Sequence, residues 1–256
     1  MTIIDCRLTL ICCCDRIENC HGQKKVFDMT SQDLGVIQSC KDEPSFIFSL
    51  MKQGAYEVAF DLLNNNIVNV NTVDGVGNDT ITRMLKANQY TYVIELMKKR
   101  NWDVNHQNQE GNTFGHILAH DNSVMAVKVM DQLTKKKNYS PNIKNKRGET
   151  AMDIALSNHY LCTAFKLLED KRFNDINVFS FKTLFDVSIK DKEYGRYTKL
   201  ENLEIIVENL EKKELESSMQ DLMDHITVNM EAIKRDILNN RSVVLESIIR
   251  NHMVME

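Results

Sequence analysis

A short pattern that returns along the chain constrains its fold more than any other feature. Val70-Asn71, Asp103-Val104-Asn105, Pro141-Asn142 and Asp175-Ile176-Asn177 recur, with their asparagines 34, 37 and 35 residues apart. Self-similarity at such a period marks an architecture that stacks one supersecondary unit, because a single unit cannot bury its own apolar face. Six residues after Asn105 and Asn142 stand Gly111-Asn112-Thr113 and Gly148-Glu149-Thr150; seven residues after Asn71 stands Asn78-Asp79-Thr80. The glycines fall where a tight turn needs positive φ. Asn78 is expected to fill that place in the first repeat, since asparagine tolerates the same conformation.

Each of these turns is followed by two apolar patterns of helical period. In the second repeat Thr113 is expected to N-cap a helix beginning at Phe114, with His116 three positions beyond the cap. Ile117 and Leu118 give that helix an apolar side, and Asp121-Asn122-Ser123 makes the turn. Met125, Val129, Met130 and Leu133 then follow at the spacing of a second amphipathic helix. The chain has only two prolines, none after Pro141, and nine glycines. So few breakers favour helices over a turn-rich β sandwich.

These pieces resemble the ankyrin repeat family. The resemblance rests on Asp103-Val104-Asn105, on Gly111-Asn112-Thr113-Phe114-Gly115-His116-Ile117-Leu118-Ala119, and on Gly148-Glu149-Thr150-Ala151-Met152-Asp153-Ile154-Ala155. It covers roughly residues 42–210. The family's Thr-Pro-Leu-His box survives in part: Thr113 and His116 are present, no repeat has the proline, and Arg83 and Asp153 stand in the histidine place. The resemblance implies an all-α solenoid of about four to five repeats with short hairpin loops, followed here by C-terminal amphipathic helices.

The flanking units read as degenerate caps. Phe46, Leu50 and Met51 suggest a helix ended by Gly54, with a partner through Tyr56, Val58, Phe60, Leu62 and Leu63. Residues 181–189 suggest a late inner helix. Thr198-Lys199-Leu200-Glu201 reads as a capping box opening its partner, whose apolar side is Leu200, Leu203, Val207 and Leu210. From Leu215 to Ile248 apolar residues recur at gaps of mostly three or four, a coiled-coil-like stripe broken at Asn239-Asn240. That stripe must pack on the repeats, on itself or on another chain. His225 and His252 read as helix-face residues rather than ligands. The expected organisation is a Cys-rich segment at 1–40, a repeat array at 41–212 and an amphipathic helical segment at 213–256.

Charge and chemistry bound the function. The formal net charge is −4, which excludes a global basic field. Residues 97–147 nevertheless carry ten basic and four acidic side chains, and residues 200–256 carry six basic and twelve acidic. Either pole can meet a partner of opposite sign, or the acidic tail can fold onto the basic middle. No Gly-rich phosphate loop, His-Glu-x-x-His or Gly-x-Ser-x-Gly occurs. His106 is placed at a hairpin tip, His116 is read as structural, His120 as closing a helix, and Cys162 as core. Five of seven cysteines crowd the first twenty residues. Asp5 and Arg7 interrupt any signal-peptide pattern, so free thiols in a reducing compartment are expected. Cys12, Cys14, Cys20 and His21 lack the distant second pair of a zinc site.

A non-enzymatic adaptor or scaffold subunit is therefore expected, cytoplasmic or nuclear, with no cofactor and no metal. Its partner is another protein of acidic character. The composition argues against direct nucleic-acid contact and against a membrane span. The candidate partner-binding residues are Gln107, Asn108 and Gln109 on one hairpin tip and Lys144, Lys146 and Arg147 on the next. Trp102 reads as packing, with an exposed anchor as the alternative. A nuclear regulator acting through a nucleic-acid-binding partner, supported by residues 135–137 and 144–147, is the second reading. Metal binding by the N-terminal cysteines is the third. A homo- or hetero-oligomer through the C-terminal helix remains open.

Overall fold

The structure, a computed structural model, describes Glu43, residues 45–192 and residues 194–253. The expectations for the Cys-rich segment, including Cys12, Cys14, Cys20 and His21, lie outside the described residues. Among those described the chain is helical, with one isolated antiparallel bridge between Val73 and Asp79. None of the described helices is long and apolar enough to cross a membrane. The chain divides into two compact units between Asp103 and Val104.

Among the described residues the first unit holds two helix pairs. α1 (Ser45–Lys52) packs on α2 (Tyr56–Asn64), and α3 (Thr80–Lys86) packs on α4 (Tyr90–Leu96). α1 also meets α3, and α2 meets α4, where Phe60 stacks on Tyr92 with ring centroids 4.9 Å apart. Gly54 ends α1 at φ +82° as its sequence position suggests. Ile47, Leu63, Ile81, Met84, Val93 and Leu96 form the dry interior. Trp102 is buried too, and its indole N–H donates to the Asp79 carboxylate at 2.8 Å. Trp102 is thus a packing residue, not an exposed anchor.

The second unit repeats the same layout. Its helices are α5 (Phe114–Leu118), α6 (Val124–Thr134), α7 (Ala151–Ser157), α8 (Leu161–Leu168), α9 (Val178–Phe185) and α10 (Arg196–Leu210). α5, α7 and α9 pack in one row; α6, α8 and α10 pack in a second. α9 runs on into a π-helical turn, Asp186–Lys190, that also supports α10. Ser123 caps α6 by accepting the Ala126 N–H at 3.1 Å, and Asn177 caps α9 by accepting the Ser180 N–H at 2.8 Å. Leu118, Val129, Met130, Leu133, Leu167 and Leu184 are fully buried between the rows.

Several local expectations are corrected. Gly77, not Asn78, takes the positive φ of the first hairpin, at +80°, and Asn78 is buried beside it. The register therefore holds without a one-residue slip, and Asp79 falls on the capping position occupied by Thr113 and Thr150. Thr198 opens no helix: α10 begins at Arg196 after Gly195, and Thr198 is exposed within it. Cys162 is exposed on α8, because the buried face of that helix is Leu161, Thr163, Ala164, Leu167 and Leu168. Met125 is only half-buried; Ala126 takes its place on the inner face of α6.

The tail stripe is also cut once more than its period suggests. It forms α11 (Ser217–Val228), α12 (Met230–Leu238) and α13 (Val243–Met253). Asn229 separates the first two, and Asn240 at φ +55° makes the expected break before the third. Met219, Leu222, Ile226, Ile233, Ile237, Leu245 and Ile249 are buried within the unit. α12 covers α10, while α11 and α13 cover α9. Part of the stripe thus packs on the chain's own helices, while Leu215, Met230, Val244 and Ile248 are only half-buried and Leu245 and Ile249 take the inner positions of α13.

A polar anchor pins the start of this tail. The Lys213 ammonium is buried and donates to the Asp170 carbonyl at 2.7 Å. Burial holds its pKa down to about 8, partly offset by the Asp170 charge. The Asp170 carboxylate in turn binds Arg172 at 2.7 Å, and the Arg172 guanidinium donates to the carbonyls of Thr134 at 2.5 Å and Lys136 at 2.6 Å. The Thr134 carbonyl ends α6, where a cation is favoured, and the Lys136 carbonyl lies just past it and also accepts the Tyr139 N–H at 3.2 Å.

Truncating Leu118 or Leu167 to Ala removes a fully buried side chain at the meeting of consecutive helix pairs and is expected to cost about 2–5 kcal/mol each. Urea denaturation followed by circular dichroism measures it; midpoints equal to wild type would contradict the packing.

Candidate partner-binding surface

The loops that carry the predicted site residues share one hydrogen-bond design. In each, an Asx side chain accepts two backbone N–H groups. Asp74 accepts from Val76 at 3.0 Å and Asn78 at 2.9 Å. Asn108 accepts from Glu110 at 2.9 Å and Asn112 at 3.0 Å. Asn145 accepts from Arg147 at 2.9 Å and Glu149 at 3.0 Å. The glycine three residues on sits at φ +80°, +77° and +78° in turn. Each hairpin is thereby closed by its own side chain, as Asx turns are.

Within the second unit the two hairpins are fastened to each other. The Lys146 N–H donates to the Glu110 carbonyl at 3.0 Å, and the Asn145 amide donates to the Asn112 side-chain oxygen at 3.0 Å. Gln107 donates to the Lys144 carbonyl at 3.1 Å and to the Gly111 carbonyl at 2.7 Å. A Cβ on Gly111 would stand 2.7 Å from the Lys146 nitrogen, whereas one on Gly148 would meet nothing within 4 Å. Gly111 is therefore required both by its φ and by this close approach.

His116 joins the same seam. Its Nδ1 accepts the Thr113 backbone N–H at 3.1 Å and faces the Thr113 hydroxyl at 2.8 Å, which leaves Nε2–H to donate to the Glu149 carbonyl at 3.0 Å. This assigns the neutral Nε2–H tautomer from the network. Burial lowers the His116 pKa, while the Glu149 carbonyl pulls the other way. Asp153 solves the same capping problem in the next repeat by accepting the Thr150 N–H at 2.9 Å and the Thr150 hydroxyl at 2.8 Å.

The outward face of this seam is where the charge lies. Lys144 pairs with Asp175 at 2.8 Å, and the hydrogen bond and charge of that carboxylate raise its pKa, with a smaller pull from Glu216. Arg147 pairs with Glu149 at 2.8 Å. The Asn145 amide, and then Arg147, hold the Glu149 carboxyl below its ordinary range. Lys146 is exposed and carries no ion pair among the described residues. Gln109 is exposed on the neighbouring tip, while Asn108 is half-buried with its amide oxygen engaged by the turn. The first tip is different: it exposes Val73 and Val76.

Sequence reasoning missed Asn145, which sits between the two lysines yet is buried and holds both hairpins. Its signal was its register with Asp74 and Asn108, each followed three residues later by glycine. It also missed a shallow groove of about 490 Å³ at the ends of α6 and α8, lined by Lys135, Lys137, Lys171 and Arg172 with Asp131, Glu169 and Asp170. Lys135 is held there by Asp131 at 2.5 Å. Among the described residues no three His, Cys, Asp or Glu side chains gather into a metal-binding group.

No family model matches the chain, and no curated protein matches it.

Two outcomes follow from the seam. Gly111→Ala should cost more than the about 1–2 kcal/mol of a left-handed residue alone, and more than Gly148→Ala; equal losses in denaturant melts would contradict the close approach. A histidine held below its usual 6.5 contributes stability above that pH that is lost as pH falls, since the unfolded chain then binds the proton first. Between pH 7.5 and 5.5 the wild-type melting temperature should therefore fall further than that of His116→Gln. Parallel curves would show that His116 is not buried neutral.

Proposed function

We propose that the chain is a non-enzymatic protein-binding adaptor built on an ankyrin-type array of about four to five repeats, with the hairpin tips as its docking edge. The observation that carries this reading is the division of labour in the hairpins. Asp74, Asn108 and Asn145 hold the backbone from inside, while Gln109, Lys146 and Arg147 stand exposed. Side chains that organise a loop and side chains that face outward are thus separate, which is how a rigid scaffold presents recognition residues on loops.

The charge on the outward face selects an acidic protein. The Lys146 ammonium has no ion pair among the described residues, and the pairs of Lys144 and Arg147 are exposed, worth about 0–1 kcal/mol each. Such a cluster adds little to folding but steers and orients an opposite charge, with an effect that weakens in salt. Residence in the cytoplasm or nucleus goes with this reading.

Reversing Lys144, Lys146 and Arg147 together to Glu should leave the circular-dichroism melt within a few degrees of wild type and sharply reduce the protein recovered by affinity capture at low salt. Capture that survives nuclease treatment marks a protein partner. Unchanged recovery and unchanged salt dependence would remove this edge from the binding surface.

A further inference from the structure

Two histidines from different helices of the C-terminal region meet at the surface. His225 lies near the end of α11 and His252 near the end of α13. Their Nδ1 and Nε2 atoms, respectively, are 3.0 Å apart, with the rings edge-to-face at 4.9 Å between centroids. The other nitrogen of His252 is bound to the Ile248 carbonyl at 2.9 Å. That bond places the proton on Nδ1 and leaves the Nε2 lone pair aimed at His225. A carbonyl behind a ring nitrogen is the arrangement that fixes tautomer and orientation in histidine metal ligands.

The geometry points to a two-histidine clamp for a divalent transition-metal ion of the zinc or nickel class, gripping α11 to α13. The separation fits the bite of such an ion. With metal–nitrogen bonds of about 2.0–2.1 Å, two imidazoles at right angles stand about 2.9 Å apart, and at a tetrahedral angle about 3.4 Å. The observed 3.0 Å lies within that interval. Binding replaces the shared proton between the rings by two N–metal bonds. The His225 proton moves from Nδ1 to Nε2, so neutral rings bind with no net proton release.

The platform beneath the pair is rigid. Ile226 follows His225 and is fully buried, and Ile249 lies three residues before His252 and is buried as well. Side chains anchored this way do not have to be gathered from a flexible loop, which lowers the cost of binding. His225 is exposed and His252 half-exposed, so an ion can reach them from solvent. With two protein ligands, water fills the remaining positions, and the site is an exchangeable brace rather than a closed structural centre.

The test uses the full chain in metal-free buffer, titrated with zinc chloride and separately with nickel chloride. The melting temperature of the wild type should rise with ion concentration, as it must when only the folded state binds. His225→Asn and His252→Asn should each lose that rise while melting near wild type in chelator. The N-terminal cysteines are common to all three proteins, so their contribution cancels in the comparison. Imidazole resonances of the wild type provide a readout that needs no variant: the signals of His225 and His252 should shift or broaden with the first equivalent bound outside the cysteines. An equal rise in all three proteins, or unmoved His225 and His252 signals, would overturn the assignment and leave the pair as a direct hydrogen bond.

Discussion

The whole arrangement depends on asparagine side chains that hold the start of the next repeat. The Asn71 amide donates to the Asn101 carbonyl at 2.7 Å, and its oxygen accepts the Asp103 N–H at 2.9 Å. Asn105 does the same to Asn138 and Ser140, at 2.6 and 2.9 Å, and Asn142 to Arg172 and Asn174, at 2.8 and 3.1 Å. Loop backbone groups that face protein rather than water need such partners. An amide offers a donor nitrogen and an acceptor oxygen in a fixed plane, so it satisfies both a carbonyl and an N–H one repeat away. The residue that announces the period is therefore also the residue that transmits it.

The fourth member of the series shows what ends the pattern. Asn177 does not clamp a following loop but caps α9 directly, and no hairpin intervenes. From that point helices α10 to α13 close the end of the unit, and the Lys213–Asp170–Arg172 anchor ties the tail back to α6 and the loop after α8. Within the acidic segment Glu204 pairs with Lys234, Glu208 with Lys212 and Asp236 with Arg241, and Glu246 reaches Lys190, while the segment as a whole keeps its excess of negative charge. The apolar residues Met219, Leu222, Ile226, Ile233 and Ile237 of the tail are in this way buried within the same unit.

Much of the fold was legible because its signals are local. The Gly111 and Gly148 turns, the Thr113 cap with His116 and the helical patterns depend on residues within a few positions of one another, and the asparagines repeat them at a period of 34 to 37 residues. The errors arose where tertiary context decides. Asn78 and Gly77 both tolerate a left-handed turn, and only the bonds to Asp74 select Gly77. Thr198 has the spacing of a capping box, yet the chain enters α10 earlier, from Gly195, after the π-helical turn. Asn229 carries no breaker signal inside a periodic stripe. On the candidate surface, the basic residues were legible as composition, but the burial of Asn145 between them and the meeting of His225 with His252 are contacts across elements that no spacing reveals.

The account stands or falls on the coupling of consecutive repeats through these amides. Native-state hydrogen exchange of Asn105→Ala in the full chain measures it most directly. Loss of the clamp should deprotect the amides of Ser140, Asn145 and Gly148 in the following repeat along with those of the hairpin around Gly111, because the two loops share one seam. Deprotection confined to residues 105–112, with the next hairpin as protected as in wild type, would contradict it.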